Sequence, residues 1–283
     1  MNAPLSETRK RTYHSLAALA LALFAIAGLS GCNKLKARDK LAQGVQAYKN
    51  GQYDHAIEDF QEAIKLDPSL TVAQLYLATA YQTQYIPAAP SEENKRMADE
   101  AIKQYDDILS RDPNNLSAID NMGSLLYNMA GTPFSPETFE KSKQFHMKHI
   151  ELNPNDAEPY YWVGLIDWTL TWHANQQLRS DYNHAHPTKQ IHDDQPLPPD
   201  LRDQYAAKNS AMVEDGISSM KKAMDRRADY DDAMAYLSLL YRQKGDMTAN
   251  PSERDDLLRQ ADALLDQVKQ IKQKKASAAQ SNS

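Results

Sequence analysis

Apolar positions recur at helical spacing along almost the whole chain, and no run alternates with period two over a strand's length. The pattern therefore predicts helices and no sheet. Its clearest stretch is Gly44 to Pro68, GVQAYKNGQYDHAIEDFQEAIKLDP, with Gly44, Gly51, Tyr53, Ala56, Phe60, Ala63 and Pro68 at fixed offsets. These residues describe a helix–turn–helix. Gly44 lets the second helix approach the first, and Gly51 lies in the turn between them. Ala56 and Ala63 keep the facing helix small, Phe60 fills the gap and Pro68 stops the second helix. One such hairpin cannot bury its apolar face alone, so a single match predicts neighbours of the same kind.

Five units share the pattern, with first residues Ala37, Thr71, Leu116, Ala157 and Asp231. The small position of the first helix is Gly44, Ala78, Gly123, Gly164 and Ser238; that of the second helix is Ala56, Ala101, Ser142, Gly216 and Ala261. The closing position is Pro68, Pro113, Pro154, Ala228 and Gln273. Only the first unit is compact. The others carry insertions of 11, seven, 40 and 11 residues between their two helices. Pro90-Ser91-Glu92, Ser135-Pro136-Glu137 and Pro251-Ser252-Glu253 each put a serine at or beside a helix N-cap with acid in the first turn, so the insertions mostly lengthen second helices. After Ser91 the spacing predicts about 19 helical residues. The last helix is expected over about Ser252 to Lys274, followed by a polar tail without structure at 276–283.

The 40-residue insertion departs furthest from the pattern. Residues 171–183 hold no Gly or Pro, so the first helix of unit four is expected to run on to about Asn183. A return helix is expected from Pro199 or Asp200 to about Arg226, with Leu201, Tyr205, Met212, Gly216, Met220 and Ala223 on one face. Asp167 occupies a slot that reads Tyr81, Leu126 or Tyr241 elsewhere. A buried carboxylate there requires a partner, expected to be Lys208, Asn209 or a nearby tyrosine; the alternative is that Asp167 turns to solvent.

The offsets resemble those of the tetratricopeptide (TPR) repeat, a helix–turn–helix of 34 residues, over about 37–273. The resemblance implies an all-α, right-handed solenoid of about five units spanning 37–275, with elongated second helices and a long αα-hairpin in unit four. It implies binding of a protein or peptide in a concave groove lined by first helices. The family's groove offsets fall at Leu41, Val45, Tyr48, Leu75, Tyr127, Asn128, Tyr161, Leu165, Trp168, Leu239 and Arg242. TPR proteins of the carboxylate-clamp type grip a partner's C-terminus with Lys and Asn. Apart from Asn121 and Asn128 that set is missing, so the clamp function does not carry over.

Residues 1–31 hold Arg9, Lys10 and Arg11, then an apolar run from Leu16 to Leu29, then Ser30 and Gly31 before Cys32. This is the layout of an export signal. Leu29-Ser30-Gly31-Cys32 resembles the lipobox of bacterial lipoproteins, in which the signal is cut before a diacylated Cys. The alternative is an ordinary secretory signal with a free thiol. The resemblance implies 32–36 as an anchor segment and membrane attachment through lipid on Cys32. With Asn33 in place of Asp it favours the outer membrane, facing the periplasm. Cys32 is the only cysteine, so no intramolecular disulfide can form. Residues 32–283 carry 29 Lys and Arg against 37 Asp and Glu, a net of −8, a poor match to nucleic acid.

Enzyme motifs such as H-E-x-x-H, G-x-S-x-G, a Walker loop or a dinucleotide fingerprint are not found, so the sequence predicts a non-enzyme with no cofactor, no metal and no small-molecule substrate. The rival is a metal-dependent or hydrolytic activity at 173–194. There His173, His184, His186 and His192 accompany Asp181, Asp193 and Asp194 among several prolines. His146 and His149 form a second close pair, at positions where the repeat calls for core residues. Tyr160, Tyr161, Trp162, Trp168 and Trp172 make a dense aromatic group, part core and part groove. For the anchor, Cys32→Ser is expected to leave unprocessed precursor and to abolish metabolic labelling with palmitate. Continued labelling of that variant would exclude lipid attachment at this residue.

Overall fold

A computed structural model describes residues 32–281, so the export signal expected at 1–31 lies outside the described residues. The chain divides into two compact units, one running to Pro113 and the other starting at Asn114. The first holds α1 (32–49), α2 (Tyr53–Leu66), α3 (Thr71–Gln84) and α4 (Glu92–Arg111). The second holds α5 (Leu116–Ala130), α6 (Pro136–Leu152), α7 (Glu158–Ala185), α8 (Pro199–Arg226), α9 (Asp231–Met247) and α10 (Pro251–Ser281). Among the described residues there is no strand, only an isolated bridge between Gly131 and Phe134. Nor is any helix there long and apolar enough to cross a membrane.

Helix boundaries follow local chemistry. The Ser91 and Ser135 side chains accept the backbone N–H of Asn94 and Thr138 at 3.1 and 3.2 Å, as N-caps do. At α10 the cap is Asn250, whose Oδ1 accepts from the Ser252 N–H at 3.0 Å, so Ser252 lies inside the first turn. Helices α2, α4 and α6 end two residues before Pro68, Pro113 and Pro154. One terminal expectation is corrected: the tail expected from Ala276 to lack structure continues α10 through Ser281, while at the other end α1 already begins at residue 32. Both segments lack Gly and Pro; 32–36 holds two Lys and a Leu and 276–281 three Ala and a Gln, all residues that favour helix.

All ten close-approach positions are buried. A Cβ on Gly44 would meet the fully buried Phe60 ring at 2.5 Å, and one on Gly164 would meet Met220 at 2.9 Å and the Gly216 carbonyl oxygen at 3.1 Å. Ser142 fills its slot and donates to the Gly123 carbonyl at 2.7 Å, which satisfies a hydroxyl that would otherwise be stranded. Gly51 takes φ +74°, the left-handed turn conformation that glycine adopts without strain.

Unit four forms the expected hairpin. Helices α7 and α8 have 28 residues each, and so are about 42 Å long. Its far end is fastened by the buried Arg179. That guanidinium donates to Asn175 Oδ1 at 2.7 Å, to Asp246 Oδ2 on α9 at 3.0 Å, and to the carbonyls of His192 and Gln195 at 2.9 and 3.1 Å. Asn183 exchanges two hydrogen bonds with the Ile191 backbone, and Leu197 is buried. The proline-rich connection is thereby held against the helices.

Asp167 is fully buried, but its partner is neither Lys208 nor Asn209. Lys143 on α6 donates to Asp167 Oδ1 at 2.6 Å and to Asp215 Oδ2 on α8 at 2.8 Å, while Asn209 bonds the Tyr205 carbonyl. The return helix α8 comes closest at a glycine, where a Cβ on Gly216 would lie 3.1 Å from that of Asp167, and the cation that meets the carboxylate enters from α6 instead. Burial pushes the Asp167 carboxyl up to about 7 against the pull of Lys143, and the charge of Asp215 adds to the rise. Two outcomes follow. Lys143→Met should lower stability by about 3–5 kcal/mol in urea unfolding, because it strands a buried carboxylate. Asp167 binds its proton more tightly folded than unfolded, so its stabilising contribution is complete below about pH 4 and is lost as pH rises towards 7. Asp167→Asn should remove that slope relative to the unmodified chain.

Candidate functional site

The first helices of the second unit, α5, α7 and α9, carry a connected series of aromatic rings. Tyr127 on α5 meets Trp162 on α7 edge to face, with centroids 5.3 Å apart. Tyr161 packs against Trp162 at 5.9 Å, Tyr230 at 5.1 Å and Tyr236 on α9 at 5.9 Å. Trp168 meets Tyr236 at 5.0 Å and stacks on Trp172 at 5.8 Å. Spacing on α7 produces this series: residues 161, 165, 168 and 172 fall on one stripe of a helix. The inner edge is core, with Trp162 lying parallel to His146 at 5.2 Å. The outer edge is open, with Tyr161, Trp168 and Tyr236 partly exposed and Trp172 45% exposed.

A carboxylate edge accompanies the rings. Glu158 Oε2 accepts the Tyr230 hydroxyl at 2.8 Å, and Arg227 reaches it at 3.3 Å. Burial, followed by the charges of Tyr236, Asp232, Tyr127 and Glu158, pushes the Tyr161 phenol well above its ordinary range. Asp120 bonds His149 Nδ1. Its carboxyl is pushed up by burial, with Asp156 and Glu158 close enough to add to the rise. Asp120 and Asp156 share His149, Glu158 holds the Tyr230 hydroxyl, and Asp232 stands in the first turn of α9 two residues past Tyr230, so the four carboxylates make an acidic margin at this end of the ring series.

The groove residues expected from the sequence separate accordingly. Tyr127, Tyr161, Trp168, Leu239 and Arg242 are partly exposed and Asn128 is exposed, all in the second unit. Leu165 is a correction: only 5% exposed, it belongs to the core against which the rings of Tyr161, Trp168 and Tyr236 pack. Arg242 lies on the face but its guanidinium is engaged by Asp262 on α10, 42% and 67% exposed respectively. Leu41, Val45 and Tyr48 on α1 and Leu75 on α3 are partly exposed in the first unit, where the Tyr48 hydroxyl meets Thr83 Oγ1 at 2.8 Å. Sequence reasoning missed Tyr236 and the acidic margin. A signal for Tyr236 existed, since Tyr76, Trp162 and Tyr236 hold the same slot, five residues after the first position of their units.

The histidines do not gather. His173 stacks on Phe134 at 3.6 Å and His186 on Tyr182 at 4.2 Å, so two of the four are held apart by different aromatic partners. Among the described residues no group of three or more His, Cys, Asp or Glu is placed to hold a metal ion. His146 is buried under Gly123, and burial, then the charge of His149, lowers its pKa to about 3, so it is neutral packing material. Its neighbour His149 serves Asp120 instead, with Nε2 3.5 Å from Asp156.

A profile of the tetratricopeptide repeat family matches residues 42–70. No curated protein matches the sequence. Solved structures of the protein MamA are similar in fold. One has 15% identity, TM-score 0.52, and covers 86% of this chain and 94% of its own. A second, comprising residues 41 to the end of MamA from Desulfovibrio magneticus RS-1, has 14% identity, TM-score 0.52, and coverage of 84% and 96%. A double mutant of the RS-1 protein has 14% identity, TM-score 0.53, and coverage of 86% and 97%. Identities this low speak for architecture, and in architecture this chain is an all-α solenoid of tetratricopeptide-repeat type.

Proposed function

We propose that this protein is a non-enzymatic scaffold of the bacterial cell envelope that binds a protein or peptide partner along the first-helix face of its second unit. The observation that carries the reading is the half-open aromatic series from Tyr127 to Trp172. Large rings that are rigid, partly desolvated and still exposed are the side chains that anchor partners at interfaces. The rings pack on the core along one edge and leave the other edge open, so the same side chains that join neighbouring repeats also present apolar surface to a partner. Anchoring through lipid on Cys32 is part of the proposal. It is supported by the lipobox-like sequence and by the exposure of Cys32 at the start of α1. Several acyl chains would hold the chain stably where one would be marginal. Outer-membrane attachment facing the periplasm follows the same resemblance.

The test is site-specific crosslinking in the native envelope. A photoreactive residue at Trp172 should give a discrete adduct, whereas one at Gln144, exposed on the second helix α6, should not. Trp168→Ala should weaken the recovered partner by about 2 kcal/mol or more while the chain keeps its cooperative melting. Equal adducts from both positions, or full affinity after Trp168→Ala, would remove this face as the binding surface.

A further inference from the structure

Charge on the aromatic face narrows what it can hold. The chain's three tryptophans, Trp162, Trp168 and Trp172, all lie on α7 within this ring series. Beside them stands the margin of Asp120, Asp156, Glu158 and Asp232. Three cations at this edge are already engaged, Arg227 on Glu158, Lys275 on Asp231 at 2.7 Å and Arg242 on Asp262, and the charge of Lys272 is directed at Asp231. Asp232, exposed in the first turn of α9 four residues before Tyr236, makes no ion pair among the described residues, although the charge of Lys275 reaches it. Carboxylates outnumber cations here even after this pairing, so positive charge on a partner is favoured at one end of the face. At the other end, the partly exposed Trp168 and Trp172 offer flat faces to an apolar ring or to a guanidinium.

Resting on the reading above, we propose that this face selects an extended, cationic peptide segment. Its Arg or Lys would meet the carboxylates beside Tyr161 and Tyr236, and a proline or apolar side chain about five residues away would lie on Trp168 and Trp172. The length follows from geometry. The eleven residue steps of α7 from Tyr161 to Trp172 rise about 16 Å, which about five residues of extended chain span. The same charges disfavour an acidic segment and a free C-terminal carboxylate, since like charge set against a margin of this sign repels at short range. This agrees with the missing Lys and Asn set of a carboxylate clamp.

The experiment is a titration of the full-length chain followed by its intrinsic tryptophan emission, since Trp168 and Trp172 sit on the face in question and Trp162 lies directly beneath it in the same ring series. The probes are two capped heptapeptides without tryptophan: two arginines, a serine and a proline-leucine-proline-proline run, and the same peptide with glutamates for the arginines. The cationic probe is expected to give a saturable emission change, with affinity falling as salt is raised, and the acidic one to bind at least about tenfold more weakly. Asp232→Lys, at an exposed position outside the core, is expected to reduce or invert that preference, and Trp172→Ala to weaken the cationic probe. Equal binding of both probes, or a preference that Asp232→Lys does not change, would overturn the charge assignment. Emission unmoved by either probe would overturn it as well. The Trp172 crosslink decides separately whether the face binds a protein at all, so failure of this inference and failure of the functional reading are told apart.

Discussion

The structure depends on how closely paired helices approach one another. At Gly44 against Phe60, Gly123 against His146, Gly164 against Met220 and Gly216 against Asp167, an added methyl would lie within 3.1 Å of its neighbour. Interiors are packed at crystal density, so these contacts set the separation of each pair rather than merely tolerating it. The ring series on α5, α7 and α9 follows from the same spacing. Trp162 lies flat on His146 because Gly123 leaves room for the imidazole, and that in turn positions Tyr127 and Tyr161.

Tight approach has a second consequence in unit four. Long helices in a hairpin would be free to splay, and two buried polar networks oppose this. Near the body, Lys143 joins α6 to α7 and α8 through Asp167 and Asp215. Further along, Arg179 joins α7 to α9 and to the connecting loop. Buried charges of this kind contribute little net stability, yet a misplaced one is expensive, so they favour a single register of the hairpin over its alternatives. The aromatic face lies on the same helix α7, and its geometry inherits that register.

Much of this was legible in the sequence, for local reasons. Helix order, the caps at Ser91 and Ser135, the hairpin from Glu158 to Arg226 and the ten small slots depend on period, capping chemistry and residue size, which are properties of neighbouring residues. The exposed rings at Tyr161 and Trp168 were found because the repeat offset encodes which side of a helix faces outward. What the sequence alone could not decide is which distant groups meet. Lys143 lies 24 residues from Asp167 and Asp215 lies 72 from Lys143, and only the stacking of α6, α7 and α8 brings them together. Leu165 has a groove offset but is core, a member of the cluster against which Tyr161, Trp168 and Tyr236 pack, and that burial depends on side chains from more than one helix. The acidic margin joins Asp120 on α5 to Asp156 and Glu158 at the start of α7 and Asp232 at the start of α9. It exists only after packing has placed those helix ends side by side, because Coulomb interaction depends on separation in space and not along the chain.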